Sequence, residues 1–237
     1  MIPIRDTIPA VTFPYVTIML ILINVGVFIL QLLFLSDADD LYNRAAVIPA
    51  KYFWYEQYRP EQYGARFAPL ITSMFLHGGW MHILGNMWFL WIFGDNVEDR
   101  MGHFRYLIFY LVCGIGAGLS HIYLYPDSQI PTIGASGAIA GVMGAYFISF
   151  PQSRVLTLIP AIIFFPLIEV PAVFFLGFWF VIQFLQGTVA LASPDVSGGV
   201  AWWAHLGGFV AGAVLVFFFR KRNTIYRRQW GENYIDF

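Results

Sequence analysis

The chain has 237 residues, 59% of them hydrophobic and only 11% charged, where a soluble domain carries about a quarter charged residues. That balance excludes an ordinary soluble globule and predicts an integral membrane protein, with length for six spans of roughly 20 residues each. The net charge of −1 gives no reason to expect a nucleic-acid partner, and the single cysteine, Cys113, excludes an intramolecular disulfide.

Residues 1–12 read as a short polar lead containing Arg5 and Asp6. Phe13 to Leu35 is uncharged and predicts span 1. It is too long for a cleavable signal and no small-residue cleavage site follows it, so it is expected to stay as an anchor. Asn24 interrupts it, and the expected role is a hydrogen bond between helices. Ser36 to Phe75 is a long connection mixing charge with aromatics such as Tyr52, Trp54 and Tyr58, a composition suited to the headgroup region. Span 2 is expected from Trp80 to Phe93, ending in the polar run Gly94 to Gly102, where Glu98 and Arg100 read as a charge pair or helix-end anchor. Span 3 runs from Tyr106 to Tyr125, and Pro126 to Pro131 form a loop. Span 4, Ala135 to Phe150, is short for a full crossing. It can begin below the surface only if the loop leading to it is shielded by protein, because lipid does not tolerate bare backbone. Pro151 to Pro171 is broken by Pro160, Pro166 and Glu169 and reads as an interfacial connection. Span 5 is Ala172 to Leu191, Ser193 to Gly199 is a loop, and span 6 is Ala201 to Phe219. The basic tail, with Arg220, Lys221, Arg222, Arg227 and Arg228, marks the cytoplasmic side. With six spans the N-terminus is then cytoplasmic as well. The whole reads as an all-α membrane domain over residues 1–237, with a cytoplasmic lead 1–12 and a cytoplasmic tail 220–237.

In this topology spans 2, 4 and 6 run in the same direction, inward from the outer face. His82, Ser136 and His205 each fall near the start of one of them, at a shared depth on the order of 5–10 Å. A serine becomes a nucleophile when a histidine within hydrogen-bond reach takes its proton. Gly137-x-x-x-Gly141 and Gly208-x-x-x-Gly212 supply two small-residue faces that let helix backbones pack closely enough for a Ser136–His205 bond. His82 and Asn86 are four apart and share a helical face. With the backbone N–H groups opening span 4, they could stabilise an oxyanion, or they could form a polar lock between helices. His77 is expected to fix how the loop enters span 2. His103 and His121 carry no assigned chemistry. The run His77 to His82 lacks the Glu and the i, i+4 His pair of a zinc protease, so no metal site is expected. Ser136 is not in a G-x-S-x-G elbow, because position 138 is Ala.

His77 with His82-x-x-x-Asn86, Glu98-x-Arg100-x-Gly102, Gly134-Ala135-Ser136-Gly137 and Ala204-His205-Leu206-Gly207-Gly208 together resemble the rhomboid family of intramembrane serine proteases. The resemblance covers nearly the whole chain. It implies a six-helix bundle with Ser136 as nucleophile, His205 as general base and no third acid. It implies an oxyanion hole of His82, Asn86 and the Ser136 N–H, no cofactor, and span 5 with its following loop as a movable gate. The implied partners are the lipid bilayer and single-span membrane substrates cut near their outer end, in a plasma or inner membrane. Two positions depart from the pattern. Ala65 precedes Arg66 where the family often has Trp. Ala140 stands where some relatives carry an aromatic that stacks on the histidine, so another group must orient His205. Two rival readings are a catalytically silent relative that retains membrane clients and a small transporter. The first typically lacks the Ser or His kept here, and the second favours internal repeats and a mid-membrane site.

Overall fold

Each long apolar run folds as a helix because a chain in lipid must satisfy its backbone polar groups internally. The structure, a computed structural model, describes residues 1–34, 38–159, 166–192 and 201–221. The expected loop Ser193 to Gly199, the tail from Arg222 onward and Pro160 lie outside the described residues. The long helices are α1 (Tyr15–Phe34), α6 (Trp80–Met101), α7 (His103–Leu124), α8 (Ser136–Ser149), α9 (Ala172–Ala192) and α10 (Trp202–Phe219). Four short helices, α2 (Ala38–Ala45), α3 (Pro49–Tyr58), α4 (Tyr63–Phe67) and α5 (Pro69–Thr72), fill the connection after α1. Arg66 ties that connection together: its guanidinium lies 4.3 Å from the Tyr52 ring centre and donates to Glu56 at 2.5 Å.

Among the described residues, four helices are long and apolar enough to cross a membrane: those at Tyr15–Leu33, His103–Leu124, Ala172–Leu191 and Trp202–Phe219. The protein is therefore a polytopic, mostly helical membrane protein. Helix α6 has 22 residues but carries Asp95, Glu98, Asp99 and Arg100 near its end, and α8 has only 14. Helix α8 is the centre of the bundle. Every residue from Gly137 to Tyr146 is buried, against α6, α7, α9 and α10.

Several expectations change. The helix expected to end at Phe93 continues through the polar run to Met101. It stops at Gly102, whose φ of +82° ends the helix while its N–H donates to the Glu98 carbonyl. Negative side chains at a helix C-terminus oppose the helix dipole, and here donors from the N-terminal segment offset that cost. The buried Glu98 carboxylate accepts from the N–H groups of Val16 and Thr17 at 2.9 and 2.8 Å, and from the Thr17 hydroxyl at 2.8 Å. It thereby caps α1, and it also meets His103 Nδ1 at 2.6 Å. Asp99 accepts from the backbone of Val11 and Thr12. Glu98 is thus an anchor for another helix. Asn24 does not bridge helices: its amide donates to Leu20 O on its own helix at 2.8 Å.

The all-α expectation also lacked a small sheet. Strands β1 (Ile2–Asp6), β2 (Arg154–Leu158) and β3 (Leu167–Pro171) form an antiparallel sheet in the order β1-β2-β3. Val155 pairs with Val170, and Arg5 with Leu156. The prolines that break any helix here leave short segments rich in Val, Leu and Ile, which pair as strands. The N-terminal lead is therefore an edge strand, held further by Trp88 Nε1 donating to Pro3 O at 2.7 Å. The sheet sits where α8 ends and α9 begins, at the opposite end of the bundle from Ser136.

Candidate active site

Ser136 is the first residue of α8, where a helix leaves its leading N–H groups without intrahelical acceptors. The loop before it is fastened on three sides. Val47 and Thr132 exchange backbone hydrogen bonds at 3.1 and 2.8 Å, the Thr132 hydroxyl meets His121 Nε2 at 3.0 Å, and Gly134 N–H donates to Ser73 O at 2.8 Å. The connection after α1 and helix α7 thus supply the shielding that an inward-dipping loop needs. Gly134 has φ +119°, a conformation that glycine adopts without penalty. A Cβ built there would lie 2.6 Å from His82 Nε2, so the imidazole lies close over this residue.

His205 is the fourth residue of α10. Its Nε2 lies 2.8 Å from Ser136 Oγ, although the two residues are 69 positions apart. The approach depends on α8 and α10 touching backbone to backbone. A Cβ on Gly208 would collide with the Gly137 carbonyl, and one on Gly212 with the Gly141 backbone. The expected Gly137-x-x-x-Gly141 face of α8 instead makes room for α7, where a Cβ on either glycine would meet Ala117 or Cys113, and it is Gly144, whose Cβ would collide with Phe209 O, that makes room for α10.

The second nitrogen of His205 has a partner that sequence reasoning missed. Nδ1 lies 2.6 Å from Oε1 of Gln183, a residue of α9. A carbonyl oxygen only accepts, so Nδ1 carries the proton and Nε2 presents its lone pair to the serine. Trp179, one turn earlier on α9, has its ring centre 5.9 Å from the imidazole at an interplanar angle of 37°. The ring of Trp202 stands edge-on at 6.3 Å. These groups surround a ring that Ala140 leaves without a stacking partner.

Ser136, His205, His82, Asn86, Trp179 and Met143 line one cavity of about 540 Å³. Gly78 N–H donates to His82 Nδ1 at 3.3 Å, so the proton of neutral His82 sits on Nε2, the nitrogen facing Gly134. Asn86 is 8% exposed, and its Nδ2 has no hydrogen-bond partner among the described residues. A buried amide donor without an acceptor is uncommon enough to need a reason. His77 is held by its backbone, exchanging hydrogen bonds with the Gln31 side chain at 3.1 and 3.2 Å, and its ring packs edge-on against His82 at 5.1 Å. His103 and His121 act on Glu98 and Thr132 and stand outside the cavity. The arrangement is a hydroxyl hydrogen-bonded to an oriented imidazole, with amide, imidazole and backbone donors around one space. Those are the parts needed to form and stabilise a tetrahedral adduct at a carbonyl.

The Rhomboid domain family model matches residues 64–222. Rhomboid-like protein 11, chloroplastic, of Arabidopsis thaliana is 30% identical over 161 residues, 64% of this chain and 52% of that protein. Presenilin-associated rhomboid-like protein A, mitochondrial, of Danio rerio is 28% identical over 158 residues, 62% of this chain and 36% of that protein. RHOMBOID-like protein 6, mitochondrial, of Arabidopsis thaliana is 42% identical over 77 residues, 32% of this chain and 24% of that protein. The chain spans about half the length, or less, of these relatives. The family match takes in more than half of the chain, including the α6, α8 and α10 segments that line the cavity, and on that ground the chain belongs to the rhomboid family.

Proposed function

We propose that this protein is an intramembrane serine endopeptidase that cuts single-span membrane proteins near the outer face of the bilayer. The observation that carries the reading is the 2.8 Å contact between Ser136 Oγ and His205 Nε2 inside a cavity furnished with hydrogen-bond donors. In this mechanism Ser136 Oγ bonds to the scissile carbonyl carbon as its proton passes to His205 Nε2. The oxyanion is met by the Ser136 N–H, His82 Nε2–H and the Asn86 amide. The C–N bond then breaks, and His205 returns the proton to the leaving amine. Water, activated by the same imidazole, hydrolyses the acyl-serine. Apart from that water and the substrate, the steps use only the chain's own groups. A substrate helix must unwind locally, because a hydrogen-bonded helical carbonyl is poorly placed for attack.

The same proposal takes residues 1–237 as one domain in which α1, α6, α7, α8, α9 and α10 all cross a plasma or inner membrane, with both ends of the chain cytoplasmic. The basic residues after α10 support that orientation. The test is cleavage of a single-span substrate by the protein in liposomes, together with labelling by a fluorophosphonate. Ser136→Ala and His205→Ala are each expected to abolish both signals. Cleavage by Ser136→Ala at the unsubstituted rate would dismiss the mechanism. Client binding without cleavage by the unsubstituted protein would favour the silent relative.

A further inference from the structure

Helix α9 lies at the rim of the bundle. Phe174, Phe178, Phe184 and Leu185 are exposed on it, whereas Gln183 is only 7% exposed and turns inward. Two side-chain hydrogen bonds fasten α9 to the start of α10, and they stack one turn apart. Gln183 Oε1 accepts from His205 Nδ1 at 2.6 Å, and Gly187 O accepts from Trp203 Nε1 at 3.1 Å. A Cβ on Gly187 would lie 3.1 Å from that indole nitrogen, so the helices approach closely where the ties are made.

We infer that Gln183 is a positioning residue for the proposed reaction, and that through it the seating of α9 against α10 determines whether His205 is held ready as a base. The inference rests on the Ser136–His205 reading and adds to it a partner on a third helix. The physical basis is the tautomer. An imidazole whose Nδ1–H is held by an acceptor offers its Nε2 lone pair to the serine. A free imidazole can turn or carry its proton on Nε2, where it cannot accept one. Gln183 supplies this orientation without a charge. Its reach is short: an outward shift of α9 by about 1 Å takes the contact beyond hydrogen-bond range. A displaced α9 therefore disarms the pair without moving either α8 or α10.

The test uses the full chain in liposomes with a single-span substrate, and follows turnover and the rate of fluorophosphonate inactivation. Gln183→Leu is expected to lower kcat by about 10–100-fold and slow inactivation in parallel, with KM changed by less than about threefold. Gln183→Glu keeps an acceptor for Nδ1–H, now a carboxylate oxygen, and is expected to retain most of the rate, which a folding or packing defect would not allow. Trp203→Phe, which removes the neighbouring tie, is expected to lower kcat in the Gln183 protein and to add nothing in the Gln183→Leu background. Gln183→Leu turning over and labelling at the unsubstituted rate would overturn the inference. So would Gln183→Glu as slow as Gln183→Leu, or an equal Trp203→Phe loss in both backgrounds. In each of those cases loss of labelling in Ser136→Ala would leave the dyad standing. Absence of labelling in the unsubstituted protein would dismiss both readings.

Discussion

Asn86 carries a cost that the proposed reaction would offset. Its Nδ2 is buried beside the cavity without a partner among the described residues, and a stranded donor of this kind costs about 1–3 kcal/mol. A developing oxyanion would satisfy it. Asn86→Ala is expected to lower kcat by about 10²-fold with little change in KM, because the bond is made mainly in the transition state. Asn86→Asp, which presents a carboxylate where a donor is needed, should be at least as slow. Steady-state cleavage of a single-span substrate checks both, and an unchanged kcat would make Asn86 a structural residue. At this scale the sequence was informative where a polar side chain stands out from small or apolar neighbours, as Ser136, His205, His82 and Asn86 do. Gln183 was not legible. It shares an apolar run with Gln186, and composition gives no reason to prefer one. The available signal was spacing: Trp179, Gln183 and Gly187 recur every four residues and share one face. The structure buries Gln183 on that face and exposes Gln186.

The contact between α8 and α10 is made by what is absent from Gly208 and Gly212 on α10 and from Gly144 on α8. In lipid there is little hydrophobic drive between helices, so close packing of backbones must supply the association. Gly212→Val is therefore expected to push α10 away from α8, lengthen the 2.8 Å Ser136–His205 contact and reduce fluorophosphonate labelling by about 10²-fold, the size of effect an ångström of misplacement produces. Gly116→Ala is the control: on α7 its Cβ would meet Ala211 at 3.6 Å, an ordinary contact, and labelling should be retained. Equal labelling of the two variants would show that the approach of α10 does not set the site. The small-x-x-x-small spacing made the Gly208 and Gly212 face of α10 readable in advance, because it maps directly onto one side of a helix, but on α8 the expected Gly137 and Gly141 face makes room for Ala117 and Cys113 of α7 instead. The end of α6 and the sheet were not readable for the opposite reason. Asp95, Glu98 and Asp99 read as a polar run beyond the helix until the donors from residues 11–17 are placed against Glu98 and Asp99, and those donors come from a segment more than 80 positions away. Strand β1 likewise finds its partner β2 only across the whole bundle.

Across the molecule, the cavity lies at one end and a polar clamp at the other. The clamp joins the N-terminal segment to α6, α8 and, through the sheet, to the start of α9. Asp6 is its centre: its Oδ2 accepts from Tyr146 OH of α8 at 2.6 Å and from Asn96 Nδ2 of α6 at 2.9 Å. Burial pushes its carboxyl up to about 7, and although the Tyr146 hydrogen bond opposes this, the Asp95 carboxylate adds to it. With the strand undocked the carboxyl returns to its ordinary value of 3.8. Between those two values the docked form holds a proton that the undocked form has lost, so raising the pH favours undocking. The contribution of Asp6 to docking is fully present below 3.8, falls as pH rises to about 7, and is level above that. Asp6→Asn stays neutral throughout and keeps an oxygen to accept from Tyr146 and Asn96, so it should remove the dependence. Hydrogen exchange of the Ile2, Ile4, Arg5 and Asp6 amides in detergent, corrected for intrinsic rates, is expected to show protection falling between pH 5 and pH 8 in the unsubstituted protein and constant in Asp6→Asn. Equal protection at both pH values in the unsubstituted protein would mean that Asp6 is already ionised in the clamp. In that event the two hydrogen bonds, and not a shared proton, hold the strand in place.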